Sequence, residues 1–125
     1  RKFIPPFGAA GNPVDITGGE PPQTYKNTVK LGLQDERIHA LILGYWHTIV
    51  TPPMVFAKLM VEVRDEMRAQ GFDKPIVASL AGDVEVEEAA EYLYAHGIPA
   101  YAYSTEIPVA VLAAKYQWAR GAGLV

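Results

Sequence analysis

Two threonines spaced three apart, Thr48 and Thr51, stand directly behind an almost unbroken apolar run at residues 38–46. Hydroxyls between a strand and a helix are placed to take an anion, because the helix N-terminus adds unpaired N–H donors and the positive end of its dipole. No acid lies between Trp46 and Lys58, so no fixed negative charge opposes an anion there. Pro52 and Pro53 work the other way, since each removes a donor amide. The residue types therefore leave two readings open: an anion-holding loop spanning Thr48, Ile49, Val50 and Thr51, or a well-capped turn.

Other residues compete for chemistry. Gly18 and Gly19 allow close backbone approach, but Glu20, Pro21 and Pro22 follow them. Asn12 and Asp15 stand beside a turn, where such side chains more often shape the loop than touch a ligand. His47 ends the apolar run and is a secondary candidate for acid, base or contact work. His96 precedes Gly97, where a cation complements a helix dipole, and His39 lies at the wrong end of its strand. No G-x-S-x-G, G-x-x-x-x-G-K-[ST] or G-x-G-x-x-G string occurs, so hydrolase, P-loop and dinucleotide readings lack their motifs. No catalytic residue and no metal ligand is assigned within this chain.

The elements must bring these residues together. Prolines, glycines and caps divide the chain into strand–helix pairs. Residues 12–16 are expected as a first strand, followed by a helix from Pro21 to about Asp35 with Tyr25, Val29, Leu31 and Leu33 apolar. Residues 38–46 read as a strand buried on both faces. Thr51 is expected to cap a helix reaching about Gln70, with Val55, Leu59, Val63 and Met67 on its inner face and Gly71 ending it. Residues 75–80 form a third strand, Asp83 caps an acidic-fronted helix, residues 98–101 form a fourth strand, and a last helix covers 105–118. Alternation of this kind predicts an α/β, three-layer, flavodoxin-like sandwich around a four-stranded parallel sheet. Ligands then sit outside the carboxyl ends of the strands. Of the four loops there, the one after residue 46 suits an anion best on charge.

Composition sets the outer limits. The 125 residues are half apolar and one-fifth charged, enough for one packed core. There is no cysteine, which excludes disulfides, thiolate metal sites and a cysteine nucleophile. The net charge of −3 gives no general attraction to nucleic acid or anionic membrane, and the longest apolar runs are far short of a span. A cytoplasmic setting is expected. Arg1 in place of methionine and the Phe3–Gly8 stretch read as a connector, so residues 1–11 are expected to be a linker, 12–119 the domain and 120–125 a tail.

Asn12-Pro13-Val14-Asp15-Ile16-Thr17-Gly18-Gly19 resembles the N-P-V-D-[LI]-x-G motif that opens one subdomain of the NDP-forming acyl-CoA synthetases. It is similar also to a stretch in the carboxy-terminal domain of the succinyl-CoA synthetase β subunit. Leu33-Gln34-Asp35-Glu36-Arg37-Ile38-His39-Ala40-Leu41-Ile42-Leu43, Lys74-Pro75-Ile76-Val77, Gly97-Ile98-Pro99 and Thr105-Glu106-Ile107-Pro108 match the same pattern in register. The resemblance covers about residues 11–118. It implies a ligase that joins a carboxylic acid to CoA using ATP, through an acyl phosphate and a phosphohistidine on another domain. CoA, ATP/ADP and Mg2+ are then expected in the full enzyme and none on this domain alone. The implied partners are a CoA-binding Rossmann domain, the phosphohistidine-bearing domain and an ATP-grasp domain. By position, Asn12, Gly18, Gly19 and the Thr48–Thr51 loop would face phosphate and acyl group.

The chain also departs from the pattern. The succinyl branch has glycines where His47 and Thr48 stand, and an arginine at Thr51. Losing an arginine argues against a second substrate carboxylate, and Tyr45-Trp46 favours a less polar acid. Some relatives have lost ligase activity, so the alternative is a regulatory binding module, for example one fused to a lysine acetyltransferase.

Overall fold

The computed structural model describes residues 4–125; of the expected 1–11 connector, residues 1–3 lie outside the described part. Pro22 opens α1 (Pro22–Gln34), where a missing N–H costs nothing. Then come β1 (Leu41–Trp46), α2 (Pro53–Ala69), β2 (Ile76–Ala81), α3 (Val84–Ala95), β3 (Ala100–Ala102) and α4 (Glu106–Gly121). The strands are parallel in the order β1-β2-β3, with Leu41 opposite Ile76, Trp46 opposite Ala81 and Ala78 opposite Ala100.

The sheet therefore has three strands, not the four expected. Residues 12–16 do not join it because their backbone groups are taken elsewhere. Asp15 exchanges both main-chain hydrogen bonds with Ala9 at 2.9 Å, as an isolated antiparallel bridge. Its carboxylate also accepts from the Thr17 amide at 2.8 Å, turning the chain there. Pro13 lacks an N–H altogether.

Three helices cover one sheet face, with α2 packed between α1 and α3, while α4 packs on β2 and β3. Central β2 is buried from Ile76 through Leu80, as a strand covered on both sides should be. Edge strand β1 is not: Tyr45 is buried, but Ile42 is half-open and Trp46 is 73% exposed. The expectation of burial on both faces fails for β1 because α4 does not reach it.

The helix stripes also shift slightly. In α2 the buried face is Phe56, Met60, Val63 and Met67, while Val55 is exposed. A strict four-residue step advances 400°, so it drifts about 40° per step off an inner face with a 3.6-residue period. Leu31 of α1 is exposed for a different reason: two residues from both Val29 and Leu33, it lies about 200° round the helix from that buried face. Thr51 is not the cap of α2; Pro52 holds that position without a side-chain cap. Gly71 (φ 91°) follows α2, and Asp83 caps α3 by accepting from the Glu85 amide at 3.1 Å, both as expected.

On the outer surface, Lys26 and Lys30 of α1 reach across to Glu66 of α2, and Lys26 also meets Glu62 at 3.0 Å. The Lys30 hydrogen bond holds the Glu66 carboxyl below its ordinary value of 4.5. A lowered folded-state value adds stability that is full above 4.5 and is lost as acid protonates Glu66. Urea unfolding followed between pH 6 and 3 should therefore show stability falling as pH drops below about 4.5, and Glu66→Gln should make that fall shallower.

Candidate functional site

Tyr45 is the last inward-facing residue of β1, and it organises the loop that follows. Its ring stacks on Phe56 of α2 at 4.3 Å between centroids, and Tyr25 of α1 meets Phe56 edge-on at 5.7 Å. The phenol donates to the Thr51 carbonyl at 2.6 Å, and the phenol oxygen in turn accepts from the Thr48 amide at 3.5 Å. Burial pushes the Tyr45 hydroxyl up to about 12, helped by the charges of Glu85 and Asp83.

The loop closes on itself above this phenol. The Thr51 amide donates to Thr48 Oγ1 at 3.1 Å, and the Thr48 hydroxyl donates to the Thr51 carbonyl at 3.3 Å. Thr51 is fully buried, and its hydroxyl donates to the Glu20 carbonyl at 2.9 Å, tying this loop to the one after residue 15. Ile49, by contrast, is 96% exposed, and Val50 is half exposed. No acceptor for the Ile49 or Val50 amide occurs among the described residues.

The other expected residues divide into near and far. Gly18 lies against this loop, since a Cβ on it would come 3.3 Å from Thr48 Cγ2, whereas one on Gly19 would meet nothing within 4 Å. Thr17, not either glycine, takes the left-handed backbone (φ 65°). Asp15 is exposed and spends its carboxylate on the Thr17 turn; Asn12 is exposed beside it. His47 faces a different neighbour. Its Nδ1 lies 3.0 Å from Asp83 Oδ1 and its Nε2 3.8 Å from Glu85 Oε2.

Glu20, Asp83 and Glu85 are the participants that motif reading missed. The register offered a signal for two of them. Trp46 opposite Ala81 sets the next residues, His47 and the Gly82–Asp83 turn, side by side. A Cβ on Gly82 would stand 2.6 Å from His47 Cβ, so only glycine permits that approach. The cluster of His47, Asp83 and Glu85 has its ligand-type atoms within 4.8 Å of one another. Asp83 Oδ1 is already engaged, by His47 and by the Glu85 amide it caps. Chemically, the edge thus presents an uncharged loop with free amides and apolar side chains, flanked by an imidazole held between two carboxylates.

Against known proteins, the Ligase-CoA domain family model matches residues 1–125. The chain belongs to that family. It is a CoA-ligase-like subdomain of the NDP-forming acyl-CoA synthetase superfamily. It is 32% identical over 119 residues to the acetate–CoA ligase [ADP-forming] I subunit alpha of Pyrococcus furiosus, covering 95% of this chain and 25% of that protein. The II subunit alpha of the same organism is 33% identical over 122 residues, covering 93% of this chain and 24% of that protein. The solved apo dinucleotide forming acetyl-coenzyme A synthetase 1 of Ca. Korarchaeum cryptofilum superposes with a TM-score of 0.83 at 34% identity, covering 95% of this chain and 25% of that one. This Ligase-CoA domain thus spans about a quarter of the length of each of these three relatives. No helix among its described residues is long and apolar enough to cross a membrane.

Tyr45→Phe should cost about 1 kcal/mol, the net value of one hydrogen bond, and Thr51→Val about as much, both read from urea midpoints. The alkaline limb should report the same phenol. A raised value adds stability that is full below 10.0 and is lost as pH climbs toward about 12. Tyr45→Phe should abolish that component, as followed by ultraviolet difference spectroscopy.

Proposed function

We propose that this domain works within an NDP-forming acyl-CoA ligase, which converts a carboxylic acid, CoA and ATP into acyl-CoA, ADP and phosphate. The observation that carries the reading is the family match over the whole chain, together with 32–34% identity to acetate–CoA ligases and an acetyl-CoA synthetase. In this reading the domain has no catalytic residue of its own. It supplies the lip of a composite site, where the Ile49 and Val50 amides and the start of α2 meet the phosphoryl group in transit. Trp46, Ile49 and Val50 would contact the acyl chain, and their apolar character fits a small, weakly polar acid. Asn12, Gly18 and Gly19 would close the adjacent side.

The Thr48–Thr51 loop offers hydroxyls, amides and apolar side chains but no carboxylate, and the neighbouring Asp83 oxygen is engaged. That donor set does not fit Mg2+, which favours carboxylate and water oxygens, so no step is routed through a metal here. CoA, ATP/ADP and Mg2+ belong to the Rossmann, phosphohistidine-bearing and ATP-grasp domains proposed as partners in a cytoplasmic enzyme. Open apolar surface on β1 and α4, including Ile42, Tyr116 and Trp118, supports contact with such domains. The domain itself is proposed to span residues 12–119.

A second reading has its own support. Thr51 is buried and committed to Glu20, and Pro52 and Pro53 withhold two amides, so the phosphate-holding end is poorer than the fold allows. A regulatory module that binds an acyl-CoA-related ligand without turnover would tolerate this.

The experiment is phosphoryl transfer in the complete assembly. Label from ATP should appear on a histidine of another domain and never on His47. Thr48→Val should slow transfer, and Ile49→Asp should slow it by roughly tenfold or more, about 1.4 kcal/mol, by placing a negative charge where none stands. Unchanged rates would remove the loop from the mechanism; ligand binding without any labelled histidine would favour the regulatory module.

A further inference from the structure

At the opposite edge of the sheet, where the strands begin, four cations line one cavity of about 260 Å3. Arg64 and Arg68 stand one turn apart on α2, Lys74 precedes β2, and Lys115 comes from α4 in the other layer. Asp73 is the lone acid lining it, in a chain whose total charge is −3.

Part of this basic cluster has structural work. Arg64 donates from Nη2 to the His96 carbonyl at 2.7 Å and from Nε to Asp65 at 2.6 Å. Arg68 Nε meets Asp73 at 3.0 Å, and Lys74 Nζ donates to the Asp35 carbonyl at 2.7 Å. Helix C-termini attract cations, which accounts for the placing of Arg64 and Arg68 near the ends of α3 and α2. It does not account for Lys115, which is mid-helix in α4 and has no acceptor among the described residues. Nor does it use the remaining donors, which are Arg64 Nη1 and both terminal nitrogens of Arg68.

The cavity also shows preparation. The Arg64 side chain is only 13% exposed, so its charge is held largely out of bulk water. Gly97 (φ 84°) turns the chain before β3, and an added Cβ there would come 3.5 Å from Arg64 Nη1. That turn ends α3, with the Ile98 amide donating to the Leu93 carbonyl at 2.9 Å. Two guanidinium forks and two ammonium groups against two carboxylates, Asp65 and Asp73, leave a net positive cluster that matches an anion with several terminal oxygens. Guanidinium forks pair with phosphoryl oxygens two at a time.

We propose that this cavity is a binding site for an anion of two linked phosphoryl groups, separate from the Thr48 loop. Free pyrophosphate and the diphosphate of a nucleotide present the same chemistry. The test is calorimetry and 1H–15N correlation spectroscopy on the 125-residue chain, titrated with pyrophosphate, with ADP and with inorganic phosphate in separate arms. Pyrophosphate should bind saturably, move the Ile76, Gly97 and Ile98 amides, and weaken as salt rises. Lys115→Gln and Arg68→Gln, both on exposed residues, should each weaken binding about tenfold while leaving the unfolding midpoint close to wild type. ADP moving the same amides at similar affinity identifies a nucleotide as the source; pyrophosphate alone identifies the free anion. Absence of saturation up to millimolar pyrophosphate, shifts confined to the Thr48 loop, or unchanged binding in both variants would each overturn the site.

Discussion

One buried phenol couples the packing of this domain to the shape of its candidate site. Tyr45 is held in the core by Phe56 and Tyr25, which come from the two helices flanking the loop region. Its hydroxyl then has one place to go, and the Thr51 carbonyl is there at 2.6 Å. Leaving that phenol unpaired would cost more than the bond itself contributes, because a buried polar group without a partner bears its full desolvation penalty. The loop is therefore pinned from beneath by the core and from the side by the Thr51–Glu20 bond. What remains free is its crest, where Ile49 and Val50 project.

This arrangement explains why the hydroxyls that drew attention in the sequence are inward ties while apolar residues face out. Thr48 and Thr51 satisfy each other across the turn. Such pairing is ordinary for hydroxyl residues near a helix start, where side chains compete for backbone groups. An anion would then meet main-chain N–H groups before it met a hydroxyl. The apolar crest makes the same edge suited to a hydrocarbon-bearing group.

The layer order, the helix positions and the Asp83 cap were legible from periodicity, prolines and glycines, because those signals act locally. The sheet's extent was not. Residues 12–16 have strand-like composition, yet strand membership is decided by which backbone groups remain available, and Ala9 takes those of Asp15. Likewise the apolar run at 38–46 carries no sign that α4 stops short of β1 and leaves Trp46 open. At the site, the choice of loop came from charge, while the contacts of Thr51 with Glu20 and of His47 with Asp83 came from tertiary neighbours that no spacing encodes. The family resemblance was readable because it rested on ordered short motifs, whose sequence order survives even where their pairing in space does not.

The parallel sheet also separates charge in a way the net value conceals. All strand carboxyl ends share one edge, and there the N-terminus of α3 gathers Asp83, Glu85 and Glu87. All strand amino ends share the other, where Arg64, Arg68, Lys74 and Lys115 collect. A six-residue strand such as β1 spans about 20 Å, roughly twice the screening length of about 10 Å at 0.1 M salt. Each edge therefore presents its field to solvent almost independently of the other. The modest total of −3 is the residue of two opposed local fields, and an anion approaching this domain would feel whichever edge it reached.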